Sequence, residues 1–362
     1  ATPAGGTGAP GGMGAMLRRE CPALFSPLDE KALRAWELLR AAARPAVAEA
    51  DRTELLSEAL AAALPIVDAA ELAPLLDAFC AHLHGGAEGR GGVATVAERA
   101  LVELPLAAAR AADPGDVASR ALLGGAPPQS WVVAEREALV ARLRCYRLMF
   151  EWLAREPAAP PARAPGENGG VGGGRGTAAA APTAAAADLA GALAGEAVRA
   201  HPADALFHHA LFWWLLASGR DDELVSLPSE CLEPFLRAWP HTEHVRRVFG
   251  AMVGPRGAAG LETWETLSAA PEGAGGVAAV EALRKGALLP RLLYHRGRYV
   301  DAAHEYSLLA LREEAVMGAA AADGAAAGDA PSTRALEGKV SALAMATAAA
   351  KAAGATGAEL LG

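Results

Sequence analysis

Apolar positions along this chain recur mostly at helical spacing, and one stretch breaks the alternation by being apolar nearly all round. It is Leu206-Phe207-His208-His209-Ala210-Leu211-Phe212-Trp213-Trp214-Leu215-Leu216. Phe207, Ala210, Leu211 and Trp214 mark one helical face, and Leu206, Trp213 and Leu216 fill the other. A helix with no polar face must be covered on both sides by neighbours. The uncharged run from Ala205 to Gly219 is 15 residues, short of the ~20 that a membrane span requires. The pattern predicts an inner helix of a helical stack.

Ordinary amphipathic helices precede it. Ser26-Pro27-Leu28-Asp29 combines a capping Ser, a Pro suited to the first helical position and an acid three residues after the Ser, so a helix through Leu33, Trp36 and Leu39 should begin there. Asp51 with Glu54 offers an N-cap before Leu56, Leu60 and Leu64, and Pro65 should end or kink that helix. Leu72, Leu75, Leu76, Phe79 and Leu83 form a clean stripe that stops at the Gly-rich loop from His84 to Gly92. A helix from about Ala94 to Ala112 should be kinked by Pro105, with turns expected at Asp113-Pro114-Gly115 and from Gly124 to Gln129. Leu139, Leu143, Tyr146, Phe150 and Leu153 then give a long amphipathic helix.

The pattern divides the chain. Residues 1–16 are rich in Gly, Ala and Pro and are expected to be disordered. Residues 17–155 form a first helical segment, and 156–187 a flexible linker or insertion with too little apolar surface to offset its ordering entropy. Residues 188–362 form a second helical segment, with loops expected near 254–276 and 318–331. Within it, Tyr294-His295-Arg296-Gly297-Arg298-Tyr299 reads as a helix end, a glycine turn and a new start, and small Ala302 and Ala303 permit close helix approach. Helix pairs of this kind stack into solenoids. No fixed period runs along the chain. The expected fold is all-α, an irregular α-solenoid of stacked antiparallel helix pairs.

Composition strengthens the helical reading. The 362 residues contain a single Ile, Ile66, and only 5% aromatics, while Ala, Leu, Glu and Arg dominate. A GC-rich coding source would inflate Ala as well. The net charge of −9 is spread evenly, with only Arg18-Arg19 and Arg246-Arg247 as basic pairs, which argues against nucleic acid or anionic lipid as the main partner. Cys21, Cys80, Cys145 and Cys231 are far apart and form no CxxC pair, so they read as buried thiols rather than a disulfide framework. The absence of an initial Met and of a signal peptide is expected for a fragment of a longer protein.

Candidate chemistry is sparse. Cys80, His82 and His84 alternate at a helix end, and His241 and His244 have i, i+3 spacing, but neither set supplies three convergent ligands on a regular helix, so no metal is expected. Of the adjacent His208 and His209, one ring should enter a helix contact and the other lie near the surface. The run Gly169 to Thr177 is Gly-rich but lacks the Gly-Lys-Ser/Thr ending of a phosphate loop and a preceding strand, so it reads as linker. No nucleophile elbow or paired-carboxylate site stands out, and no catalytic residue or cofactor is assigned. Trp36, Trp131, Trp152, Trp213, Trp214 and Trp264 should be core, with Trp239, before Pro240, a candidate peptide-binding anchor.

Several of these blocks carry a family resemblance. The double-tryptophan helix and the later Leu232-Glu233-Pro234-Phe235-Leu236 resemble the "LF-x-x-AL-[YF]-x-WL" and "LEP-[HF]-L" blocks of the non-repetitive, WGA-negative nucleoporins, large inner-ring scaffold proteins of the nuclear pore. Cys21-Pro22-Ala23-Leu24-Phe25-Ser26 is similar to that family's "CP-x-L-[FY]-S" helix start. Tyr294 to Leu311 resembles its helix pair, and Thr333 to Lys351 falls where it has another long helix. The departures are Gly-, Ala- and Pro-rich insertions near Pro157 to Ala187, Gly254 to Gly276 and Gly318 to Pro331. The resemblance implies an interior part of a C-terminal α-solenoid whose N-terminal β-propeller lies outside this chain. It also implies location at the nuclear envelope in the pore complex and support of nucleocytoplasmic transport. Expected partners are other inner-ring scaffold nucleoporins and flexible linker nucleoporins, in a large symmetric assembly, with membrane contact left to the propeller and no catalytic residues to transfer. The competing readings are a tetratricopeptide-like peptide-binding adaptor and a vesicle-coat solenoid scaffold.

Overall fold

The computed structural model describes residues 19–21, 26–83, 92–125, 127–154, 184–238, 242–254, 261, 263–268, 287–322 and 330–354. Among these residues every regular element is helical: fifteen α-helices, one short 3-10 turn and no strand. The expected disorder of 1–16 and almost all of the expected linker 156–187 lie outside the described residues, as do Pro22 to Phe25. The chain divides into two compact units, Ala1–Ala197 with Gly257–Leu267, and Val198–Arg256 with Ser268–Gly362.

The first unit opens with α1 (Pro27–Ala42) and α2 (Glu49–Ala63), an antiparallel pair. The predicted capping box is present: Asp29 N donates to Ser26 Oγ at 3.1 Å, and Ser26 N donates to Asp29 Oδ2 at 2.7 Å. α1 buries Ala35, Leu38, Leu39 and Ala42 against α2, which answers with Leu56, Ala59, Leu60 and Ala63. The expected Asp51 cap is corrected. α2 begins earlier, after Ala48, which makes no side-chain cap bond. Glu49 and Asp51 instead lie inside the first turn, where acids favour the positive end of the helix dipole. Arg52 ties the preceding loop down by donating to the carbonyls of Ala42 and Val47.

α3 (Ala69–Leu83) and α4 (Gly92–Ala112) come next, and α4 is the inner helix of this unit, touching α2, α3 and α6. Pro105 sits in its interior and is buried among Leu101, Leu104, Ala108 and Ala109, with helix assigned on both sides of it. α5 (Val117–Leu123) lies against α6 (Val133–Ala154), whose Leu139, Leu143, Tyr146 and Phe150 are all buried as the spacing predicted. The expected loop near 254–276 also contains a short helix, α12 (Trp264–Ser268), after buried Leu261. It holds because Leu267 is fully buried and Trp264 packs against Trp131 at 5.2 Å between ring centroids.

The boundary between the units falls within α7 (Ala184–Ala200). In the second unit, α8 (Ala205–Ala217) contacts α9 (Asp221–Ser226), α10 (Leu232–Arg237) and α11 (Glu243–Val253). α13 (Leu288–His295) packs on α9, α10 and α14 (Tyr299–Ala322), and α14 pairs with α15 (Ala330–Ala352). Gly297 adopts φ +72° between α13 and α14, the left-handed conformation predicted for that turn. Its amide donates to Tyr294 O, and Arg298 N donates to Leu293 O, so the spent carbonyls of α13 are satisfied. Leu293 then meets Ala302 and Ala303 of α14 and Ala349 and Ala350 of α15 in one small core cluster. Within the stretch 318–331, where a loop was expected, α14 runs to Ala322 and α15 starts at Ala330, in keeping with the high helix propensity of alanine, and residues 323–329 lie outside the described residues.

Candidate functional site

The centre of the second unit is the double-tryptophan helix. Asp204 accepts from Phe207 N at 2.9 Å and caps α8, and every residue from Leu206 to Leu216 except half-buried His209 is buried. Trp213 lies parallel to Phe249 of α11 at 6.1 Å and edge-on to Phe235 of α10 at 6.4 Å. Phe212 and His209 also meet Phe235, at 5.1 and 5.2 Å. Burying side chains of this size contributes about 1.5–3 kcal/mol each, and aromatic pairing adds about 0.5–1.5 kcal/mol. The Leu-Glu-Pro-Phe-Leu block is therefore the cover of α8, inserting Phe235 into its aromatic face.

Both histidines enter helix contacts, which corrects the expectation that one ring would lie near the surface: His208 is buried, and half-buried His209 packs edge-on against Phe235. The carbonyl of His201 can only accept, so His208 Nε2–H donates to it at 3.1 Å and Nδ1 accepts from the Ser229 hydroxyl at 2.8 Å. Ser229 Oγ in turn accepts from Cys231 N at 3.2 Å, which joins α8 to the start of α10. Burial holds the His208 pKa below its usual value, opposed by Asp204 and by the bond to His201. The ring is a structural bracket between α8 and the start of α10.

On the outer side of α10, Glu233 gathers three arginines. Arg298 Nη1 donates to its Oε2 at 2.7 Å, Arg237 Nε to its Oε1 at 3.0 Å, and Arg296 Nη1 lies 3.9 Å away. Arg237 also reaches Glu305 of α14 at 2.9 Å. Burial alone would raise the Glu233 pKa, but the bonds from Arg237 and Arg298 outweigh it and hold the carboxyl below its ordinary value. Arg296 further donates to Ser229 O at 2.6 Å. This knot fastens α10 to the α13–α14 turn. Sequence reasoning missed it, because residues some 65 positions apart announce no pairing.

A buried ion pair stands in the first unit. Arg142, with its side chain 3% exposed, donates to Asp113 Oδ2 at 3.0 Å, to Asp116, and from Nε to the Tyr146 hydroxyl at 2.9 Å. Asp113, 1% exposed, also accepts from Val117 N and Ala118 N at 2.9 and 3.1 Å, so it caps α5 while neutralising Arg142. Asp116 takes φ +50°, a left-handed conformation that Asp tolerates better than most residues. The Asp-Pro-Gly turn was legible, but its charge partner on α6 was not.

The remaining candidates disperse. Cys80 and His82 both lie on α3, where burial and Arg52 lower the His82 pKa; His84 lies outside the described residues. His244 is half-buried on α11, and His241, Trp239 and the Gly169–Thr177 run lie outside the described residues. Among the described residues no three His, Cys, Asp or Glu side chains are grouped to hold a metal. The expectation of four buried thiols is corrected: Cys145 is buried and its pKa is pushed up to about 12, Cys80 and Cys231 are half-buried, and Cys21 is exposed because it precedes the packed face of α1. Trp131, Trp152, Trp213 and Trp214 are core, while Trp36 and Trp264 are half-buried. A cavity of about 340 Å3 lies beside Trp131. Among its described lining residues, Arg120 Nη2 donates to Gly115 O and Glu135 Oε2 accepts from Val132 N.

Several large apolar side chains are exposed among the described residues. Val132 and Val133 open α6, Val300 and Leu311 stand out from α14, and Val340, Leu343 and Met345 from α15, all exposed. Among the described residues no helix is long and apolar enough to cross a membrane.

The profile of the non-repetitive/WGA-negative nucleoporin C-terminal family matches residues 13–361. No curated protein matches the chain by sequence. Among solved structures, the chain is similar to the crystal structure of a methionine-substituted mutant of the Chaetomium thermophilum Nup170 CTD, at 18% identity and a TM-score of 0.47. The similarity covers 89% of this chain and 51% of that one, so the chain spans about half the length of the solved relative.

Proposed function

Because the chain belongs to the non-repetitive/WGA-negative nucleoporin C-terminal family, a family of nuclear pore scaffold proteins, we propose that it acts as a structural segment of the pore's inner ring, bridging neighbouring scaffold nucleoporins through its helical surfaces and thereby supporting nucleocytoplasmic transport. The observation that carries this reading is the division of its residues. The largest aromatic side chains are spent internally, on the α8 cluster, and the Arg142–Asp113 pair is buried, while α14 and α15 present Val300, Leu311, Val340 and Leu343 outward. Stacked helix pairs satisfy their neighbours and leave lateral faces for partners. Short flexible segments of linker nucleoporins would dock on such faces as helices in grooves or as extended peptides. Catalysis plays no part in this reading.

The test is reconstitution. The purified chain, mixed with inner-ring scaffold nucleoporins and with flexible linker nucleoporins of the same source, is expected to co-elute with at least one of them on size exclusion. Separate elution from every partner would overturn the bridging role.

A further inference from the structure

We propose that the outer face of α15 is a self-complementary seam through which two copies of this chain pair, with their α15 helices antiparallel.

α15 packs chiefly on α14, and on that side it buries Ala342, Ala346, Ala349 and Ala350. Successive residues turn by about 100° around a helix, so these alanines share one side. The opposite side carries Val340, Leu343, Ala344 and Thr347, all exposed. Val340 is 59% exposed and Leu343 46%. From Val340 to Ala350 no residue is charged, so this face lacks the polar cover of a solvated helix. The three- and four-residue spacing gives the narrow stripe by which one helix lies along another. Ala344, at its centre, has no side chain beyond Cβ, which permits a close approach of two backbones.

Charge decides which occupant fits. Glu337 precedes Lys351 by fourteen residues, about four turns, which returns to within about 40° of the same side. The two positions therefore stand in line with the apolar stripe, one at each end. A second copy laid antiparallel and centred on Ala344 brings each Glu337 level with the other copy's Lys351, and Val340 level with Ala348. Laid parallel, it would set lysine against lysine and glutamate against glutamate. Charge pairs at the ends of a helical seam fix orientation in this way. A surface complementary to itself is what a two-fold contact requires. One helix face is small for a specific interface, so the pair should be weak and depend on concentration, and should strengthen where copies are held close together. This contact is separate from the bridging to other nucleoporins, and either can fail without the other.

Sedimentation equilibrium of the full chain across the micromolar range tests the pairing, with carbodiimide cross-linking of an equal mixture of unlabelled and isotope-labelled copies. A monomer–dimer equilibrium is expected, with an amide link from Glu337 to Lys351 joining unlabelled to labelled chain. Along one helix those positions are about 21 Å apart, too far for the link to form within a single copy. Leu343→Asp should raise the dissociation constant at least about tenfold while circular dichroism stays unchanged. Lys351→Glu should weaken pairing severalfold, and adding Glu337→Lys, which reverses both charges, should restore it. A chain that remains monomeric throughout, or a dimer that Leu343→Asp leaves unaltered, would overturn the seam. A dimer that Lys351→Glu weakens and the double variant does not recover would overturn its antiparallel register.

Discussion

Arg142→Met isolates the buried charge of the first unit. Methionine keeps much of the arginine volume but leaves Asp113, 1% exposed, without its cation. Removing one partner of a buried pair costs about 3–5 kcal/mol, because the remaining charge cannot regain water. Two backbone amides, Val117 N and Ala118 N, still serve the carboxylate, which places the expected loss near the lower end, about 3 kcal/mol. Asp116 adds little to this figure: its side chain is 52% exposed, and pairs in water contribute only about 0–1 kcal/mol. Asp113→Asn combined with Arg142→Met removes both charges and keeps an oxygen to cap α5, so it should recover more than about half of the loss. Two units need not unfold together, so the assay is native-state exchange at the Val117 and Ala118 amides, supported by urea unfolding. A single-variant loss under about 1 kcal/mol, or a double variant as costly as the two singles summed, would refute the buried-pair reasoning.

Other outcomes follow from the second unit. Trp213→Ala should destabilise it by about 3–5 kcal/mol in urea unfolding, since a fully buried ring stacked on Phe249 leaves a cavity. Gly297→Ala should cost about 1–2 kcal/mol by the same measurement, purely from φ +72°, because an added Cβ meets nothing within 4 Å; Gly297→Asn should cost less. His208 is held neutral by burial, so the unfolded chain binds more protons below its ordinary pKa of about 6.5. Stability should therefore be full above that pH and fall as the pH drops below it toward the lowered folded value. His208→Gln should flatten this slope between pH 7.5 and 5.5 in exchange-monitored unfolding, and an unchanged slope would remove His208 from the account.

What the sequence made legible was local. The inner position of α8 follows from an uncharged run with no polar face, and the α13–α14 turn from one glycine between two tyrosines, because each is decided within a few residues. The Ser26 box is equally local. The Asp51 cap failed because side-chain capping competes with placing several acids inside the first turn, and Arg52, which bonds back to Val47 and Ala42, anchors the earlier start. Helix α12 hid within a Gly- and Pro-rich stretch because its reason to fold, the contact of Trp264 with Trp131, is long-range. The ion pairs were hidden for the same reason. Asp113 and Arg142, like Glu233 and Arg298, look like solvated surface charges until packing brings them together. The surfaces that would meet partners were not legible as sites, since exposed Val300 and Leu343 differ from buried residues only by what the fold leaves uncovered.

The central claim is that this chain is built into the nuclear pore as scaffold. Fluorescent tagging of the full-length protein in its own cells tests it most directly. The account predicts a punctate nuclear rim with slow recovery after photobleaching, and a diffuse, rapidly recovering signal would contradict it.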